Sequence, residues 1–122
     1  MTEAVENGFL ARSDTVLDSF AGHKNGAEPE ASLIDVNGVL YGTTFTGGTS
    51  RKGSNAGTVF SIDPSTGAET VLYSFCGNWR SCPGDGRLPA ASLIDIKGKL
   101  YGTTSGGGVD SSGTVFLLKE KR

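Results

Sequence analysis

The sequence predicts an all-β fold made of two copies of a four-stranded antiparallel meander. Three observations carry this: four blocks recur in the same order, each block has strand composition, and the gaps between blocks hold turn residues. Thr15-Val16-Leu17-Asp18-Ser19-Phe20 returns as Thr70-Val71-Leu72-Tyr73-Ser74-Phe75, at an offset of 55. Ala31-Ser32-Leu33-Ile34-Asp35 returns as Ala91-Ser92-Leu93-Ile94-Asp95, and Leu40-Tyr41-Gly42-Thr43-Thr44 as Leu100-Tyr101-Gly102-Thr103-Thr104, both at 60. Gly57-Thr58-Val59-Phe60 returns as Gly113-Thr114-Val115-Phe116 at 56. The offset changes only between blocks, so blocks are elements and gaps are loops.

Each block is short and rich in Val, Ile, Leu, Thr, Tyr and Phe, bounded by Gly, Asn, Pro or Ser, which suits a strand. No window keeps helical periodicity over three turns. With a for ASLID, b for LYGTT, c for GTVF and d for TVLxSF, the chain reads d, a-b-c-d, a-b-c. Asn37-Gly38 predicts a type I′ hairpin turn between a and b, and Lys97-Gly98 takes its place in the second copy. Asp63-Pro64-Ser65-Thr66-Gly67 predicts a type I turn between c and d. Residues 1–14 form an N-terminal extension, 15–69 repeat 1 and 70–122 repeat 2, all one structural unit. Within the extension, Gly8-Phe9-Leu10-Ala11 reads as a decayed c strand able to cap an edge.

A four-stranded unit of about 50 residues is close to the kelch period and matches a blade of a β-propeller. Both faces of a blade are covered by its neighbours, which accounts for apolar runs such as Thr70-Val71-Leu72-Tyr73. The small residues Ala31, Ser32, Ala91 and Ser92 nominate strand a as innermost in a tapering ring. Two blades do not close a ring, since closed propellers need about four to eight. The permuted strand order therefore predicts closure by oligomerisation: strand Thr15 to Phe20 of one chain completes the last blade, at Gly113 to Leu118, of another. A cyclic trimer of six blades is preferred, then a tetramer of eight, then a dimer of four.

From about residue 15 to 118, TVLYSF, DGRLPAASLID, GKLYGTTSGGG and GTVF resemble the GloVer-type (Gloeobacter/Verrucomicrobia) tandem repeat family. That resemblance implies a kelch-like repeat from bacterial proteins built as long, secreted and often surface-anchored arrays, with no assigned activity. Cys76 and Cys82 in CGNWRSC either close a short loop as a disulfide, which favours an oxidising compartment, or stay as two thiols. The family often carries a Cys pair here, and so the resemblance implies the disulfide and an extracytoplasmic location. MTEAVENGFLARSD shows no signal-peptide pattern.

Composition narrows the function. Eleven Lys and Arg against 13 Asp and Glu, net charge −2, form no basic field for a nucleic-acid backbone. No apolar run approaches the about 20 residues of a membrane helix. The 19 glycines among 122 residues lack collagen's period and mark turns. In the meander the a–b and c–d turns are tight and share one end, whereas the b–c and d–a loops are long and share the other. Loops on a rigid scaffold concentrate binding residues.

That long-loop end supplies the candidate ligand-binding residues: Trp79, Arg80, Asp85, Arg87, His23, Lys24 and Arg51. Trp79 beside Arg80 reads as a platform for a sugar ring or a partner side chain, or as a plug over its own loop, the latter preferred. His23 has no nucleophile or second ligand in sequence and reads as a solvated loop residue. Gly47-Gly48 and Gly106-Gly107-Gly108 run into neither a helix nor Lys-Ser/Thr, so they are not phosphate cradles. Asp35 and Asp95 read as turn residues rather than a carboxylate pair for hydrolysis. No catalytic residue, metal site or cofactor is expected. The reading is a non-catalytic propeller-type interaction module with a carbohydrate or protein ligand. The alternatives are a lectin-like protein or carbohydrate-active enzyme, and a structural remnant of a longer array.

Overall fold

The computed structural model describes residues 4–6, 9–11, 16–21, 25–49, 56–76 and 82–119. All the regular structure among them is antiparallel β. The first sheet, which takes its fourth strand from the start of the second sequence repeat and is called repeat 1 from here on, is a four-stranded meander of β3 (Ile34–Val36), β4 (Val39–Thr44), β5 (Thr58–Ile62) and β6 (Glu69–Ser74), in that spatial order. Repeat 2 repeats the first three strands as β8 (Ile94–Ile96), β9 (Lys99–Thr104) and β11 (Thr114–Lys119). Two-residue strands β7 (Gly86–Arg87) and β10 (Gly106–Gly107) pair with each other. Strands β1 (Ala4–Glu6) and β2 (Phe9–Ala11) also pair with each other, not with an edge of either meander.

The predicted turn chemistry is present in both copies. Asn37 and Gly38 have φ of 53° and 86°, and Lys97 and Gly98 have 54° and 86°, as a type I′ turn requires. Asp35 Oδ1 accepts the Gly38 N–H at 3.0 Å and Asp95 Oδ1 that of Gly98 at 3.1 Å, so both aspartates are turn residues. Between β5 and β6, the Asp63 carbonyl accepts from Gly67 at 2.7 Å and its carboxylate from the Ser65 N–H and hydroxyl. Those Ser65 bonds hold the Asp63 carboxyl below its ordinary range.

Two strand boundaries differ from expectation. Strand a begins at Ile34 and Ile94, not at Ala31 and Ala91. Leu33, which would lie opposite Gly42, folds over it instead: a Cβ on Gly42 would lie 2.7 Å from Leu33 Cδ2 and 2.8 Å from Phe60 Cζ. Gly102 is enclosed in the same way by Phe116 and Leu93. Residues 16–20, which the repeat pattern marks as a d strand, form no strand and pair with none among the described residues.

One face of repeat 1 packs on the opposite face of repeat 2. Val36, Tyr41, Val59 and Phe75 from the first repeat share a core with Leu93 and Leu100 of the second, flanked by Phe116 and Leu118. The two a-type strands lie side by side, and the Ser32 N–H donates to Ser92 Oγ at 3.2 Å. The expectation that both faces of each sheet are covered therefore holds only at this junction. Val59 is 0% exposed and its counterpart Val115 78%; Leu93 is 1% exposed and its counterpart Leu33 48%. Segment 16–20 partly covers the outer face of repeat 1 through Phe20, whose ring meets Phe60 edge-on at 5.1 Å. Phe75 meets Phe116 in the same way at 5.2 Å.

Candidate functional site

At the long-loop end the d–a and b–c loops are bonded to each other inside each repeat. Ala27 and Thr46 exchange backbone hydrogen bonds at 2.9 and 3.2 Å in repeat 1; β7 and β10 do the same in repeat 2. The last b-strand threonine ties this ladder to strand c. The hydroxyls of Thr44 and Thr58 are 2.8 Å apart, and those of Thr104 and Thr114 2.7 Å. Thr44 Oγ1 also accepts the Thr58 N–H at 3.1 Å, as Thr104 Oγ1 accepts that of Thr114 at 3.1 Å. Across the junction, Leu88 N–H donates to Ala56 carbonyl at 2.7 Å, and within the first sheet Phe75 N–H donates to Gly57 carbonyl at 2.9 Å. Buried donors and acceptors satisfied across four loops give a rigid platform rather than separate flaps.

Cys76 and Cys82 form a disulfide with Cα atoms 6.2 Å apart, bracketing the segment that carries Trp79 and Arg80. Asp85 anchors this bracket. Its Oδ2 accepts the Cys76 N–H at 2.7 Å and the Tyr73 hydroxyl at 2.9 Å, Oδ1 accepts the Gly86 N–H at 2.9 Å, and its own N–H donates to Cys82 carbonyl at 3.1 Å. A carboxylate so engaged acts as a clamp. Burial, then the bond to Asp85 and its charge, push the Tyr73 hydroxyl up to about 12.

Repeat 1 builds the matching corner from different residues. Asn25, 60 positions before Asp85, accepts the Ala21 N–H through Oδ1 at 2.9 Å, and Asp18 stands where the Asp85 corner has Tyr73. Glu69 joins them. Burial, then the hydrogen bond and negative charge of Asp18, push its carboxyl up to about 7 against an opposing bond from Asn25. Asp18 Oδ2 and Glu69 Oε2 are buried acceptors without a donor, a shortage that a proton on Glu69 relieves.

Of the sequence-predicted residues, Asp85 and Arg87 lie on this end, Asp85 as the clamp and Arg87 exposed on β7 with its stem over Gly106. Trp79, Arg80, His23, Lys24 and Arg51 lie outside the described residues. Among the described residues no three His, Cys, Asp or Glu side chains gather as a metal site.

Two clefts of about 270 Å³ each lie among the described residues. One lies between the repeats beside the free edge of β11, lined by Tyr73, Phe75, Asp85, Phe116 and Leu118. The other is on the outer face of repeat 2, lined by Ala91, Ser92, Ile94, Tyr101 and Val115. Both are apolar with a few polar groups, so they suit side chains or flat rings rather than ions. Sequence reasoning missed Tyr73 as the partner of Asp85. The available signal was the paired exchange of Asp18 and Asn25 in one copy for Tyr73 and Asp85 in the other.

A sequence model described as the Gloeobacter/Verrucomicrobia repeat matches residues 8–121. No curated protein matches the chain, and no solved structure does.

Proposed function

The chain belongs to the Gloeobacter/Verrucomicrobia repeat family, and from that premise we propose that it is a non-catalytic, propeller-type binding module that takes a carbohydrate or protein ligand on its long-loop end. The observation carrying this reading is the loop platform, in which loops of both repeats are hydrogen-bonded together while the opposite end consists of tight turns. Variable loops on a rigid sheet are the usual arrangement for recognition. The disulfide adds a stapled, tryptophan-bearing loop and favours an oxidising compartment. Asp85, the acid nearest that loop among the described residues, spends its carboxylate on holding the backbone, which speaks for binding over hydrolysis. The module is closed by copies of itself, three chains making six blades, with four or two chains as the other closures.

Trp79 is the sole tryptophan and so a built-in reporter. Titration with a panel of oligosaccharides and with peptides should shift its emission saturably for at least one class. The shift should weaken at least ten-fold in Arg87→Ala. Silence across the panel together with silence on a glycan array would overturn the reading, and turnover of a glycan would replace it with the carbohydrate-active alternative.

A further inference from the structure

Repeat 2 ends in an unfinished sheet. Among the described residues β11 has β9 on one side and no strand on the other, whereas its counterpart β5 lies between β4 and β6. The outer face of the same sheet exposes Ile94, Ile96, Val115 and Leu117. On repeat 1 that face is the one sealed by repeat 2. At the start of the chain the situation is inverted. Phe20 makes with Phe60 the ring contact that Phe75, just after a fourth strand, makes with Phe116. The backbone of residues 16–20 nevertheless makes no hydrogen bond among the described residues. Among the described residues, then, one sheet has three strands where the other has four, and one segment with the sequence of a fourth strand is unpaired.

Deepening the self-association part of the reading above, and resting on it, we propose that a second copy of this chain docks here head to tail. Residues 16–19 of the second copy add to the β11 edge, and the Leu33 side of its repeat 1 covers Ile94 and Val115. The junction inside one chain supplies the register. Thr58 pairs with Ser74, Val59 with Tyr73 and Phe60 with Val71. Moved by the repeat offsets of 56 and 55, these become Thr114 with Ser19, Val115 with Asp18 and Phe116 with Val16 of the second copy. Main-chain bonds along an open edge supply affinity and the side-chain face supplies selectivity. The Ser32 N–H to Ser92 Oγ bond recurs as Ser92 N–H to Ser32 Oγ of the second copy. Leu33, half-exposed while Leu93 is sealed, enters the about 270 Å³ cleft formed by Ala91, Ser92, Ile94, Tyr101 and Val115. The two surfaces are different patches, so the contact is heterologous and propagates head to tail, closing as a ring when the rotation between copies returns to the start.

Light scattering on the full chain should return a multiple of 12.6 kDa. Val115→Asp, at a position exposed in the single chain, should keep the far-ultraviolet circular dichroism and drop the mass at least two-fold. Chains bearing Ser19→Cys mixed with chains bearing Thr114→Cys should give a disulfide-linked dimer on a non-reducing gel, and neither variant alone should. A wild-type mass of 12.6 kDa overturns both the interface and self-association. An oligomer that survives Val115→Asp and yields no mixed cross-link overturns this interface and leaves self-association standing. Neither outcome touches the ligand reading, which the tryptophan titration tests separately.

Discussion

Val59 and Val115 occupy the same place in two copies of one strand, yet the first is sealed and the second lies in the open. Their strands share register with the b strand, the same threonine pair at one end, and the same phenylalanine next in sequence, opposite a b-strand glycine. What differs is the neighbour: repeat 1 has repeat 2 against that face, and repeat 2 has nothing there among the described residues. Burial in a repeat protein is therefore a property of the junction, and each repeat's stability depends on what is stacked on it.

The sharpest way to break the comparison is to place the same charge at both valines. Val59→Asp buries an unpaired carboxylate and should cost more than about 4 kcal/mol, unfolding the chain, whereas Val115→Asp should stay within about 0.5 kcal/mol for the unassembled chain. Urea midpoints of the two variants decide it, and equal losses would mean the repeats are covered alike.

Next in size is the disulfide, which repeat 1 has no counterpart for. Replacing both Cys76 and Cys82 by Ser should cost about 2 kcal/mol on the loop-closure model, measured by denaturant unfolding, with no further loss on adding reductant. Gly42→Ala and Gly102→Ala come third. Each added methyl meets a leucine and a phenylalanine, so both should lose about 1–3 kcal/mol, similar in the two repeats. A large difference between them would show that the two inner faces are packed differently.

The smallest effect separates the two polar corners. Glu69 has its folded pKa raised from 4.5 to about 7, so the folded state holds the proton more tightly. Its stabilisation is complete below about pH 4.5 and is lost as pH rises through 7. Since Glu69 is only partly buried, solvent screening reduces this to a fall of a few °C in Tm at most. Glu69→Gln should flatten that slope, and a wild-type Tm that rises over the same interval would contradict the Asp18–Glu69 pairing.

Much of the architecture was legible in the residues. Asn37-Gly38 and Lys97-Gly98 announce a turn because two successive residues at positive φ favour few types, and the ordered blocks announce strands. The pairing of Cys76 with Cys82 was legible in their short spacing, with the family resemblance in support. Other features were hidden because they depend on partners in space. Residues 16–20 have the composition of β6 but no strand to pair with among the described residues, so composition alone misplaces a ladder there. Ala31 and Ser32 have a strand-like context, but the chain reaches its ladder only at Ile34. At the candidate site, Asp85 drew notice as an acid on a loop; its three accepted hydrogen bonds are a matter of geometry that no spacing reveals.

The two hairpin tips hold a practical opening. Around Gly38 and Gly98 nothing lies within 4 Å of where a side chain would begin, and both tips sit at the end away from the loop platform. Loop-closure entropy grows slowly with length, and exposed tips are where inserted sequence is best tolerated. A fluorophore, an epitope or a whole domain spliced at the Lys97-Gly98 tip would be displayed once per protomer, making the chain a scaffold on which cargo and ligand occupy opposite poles.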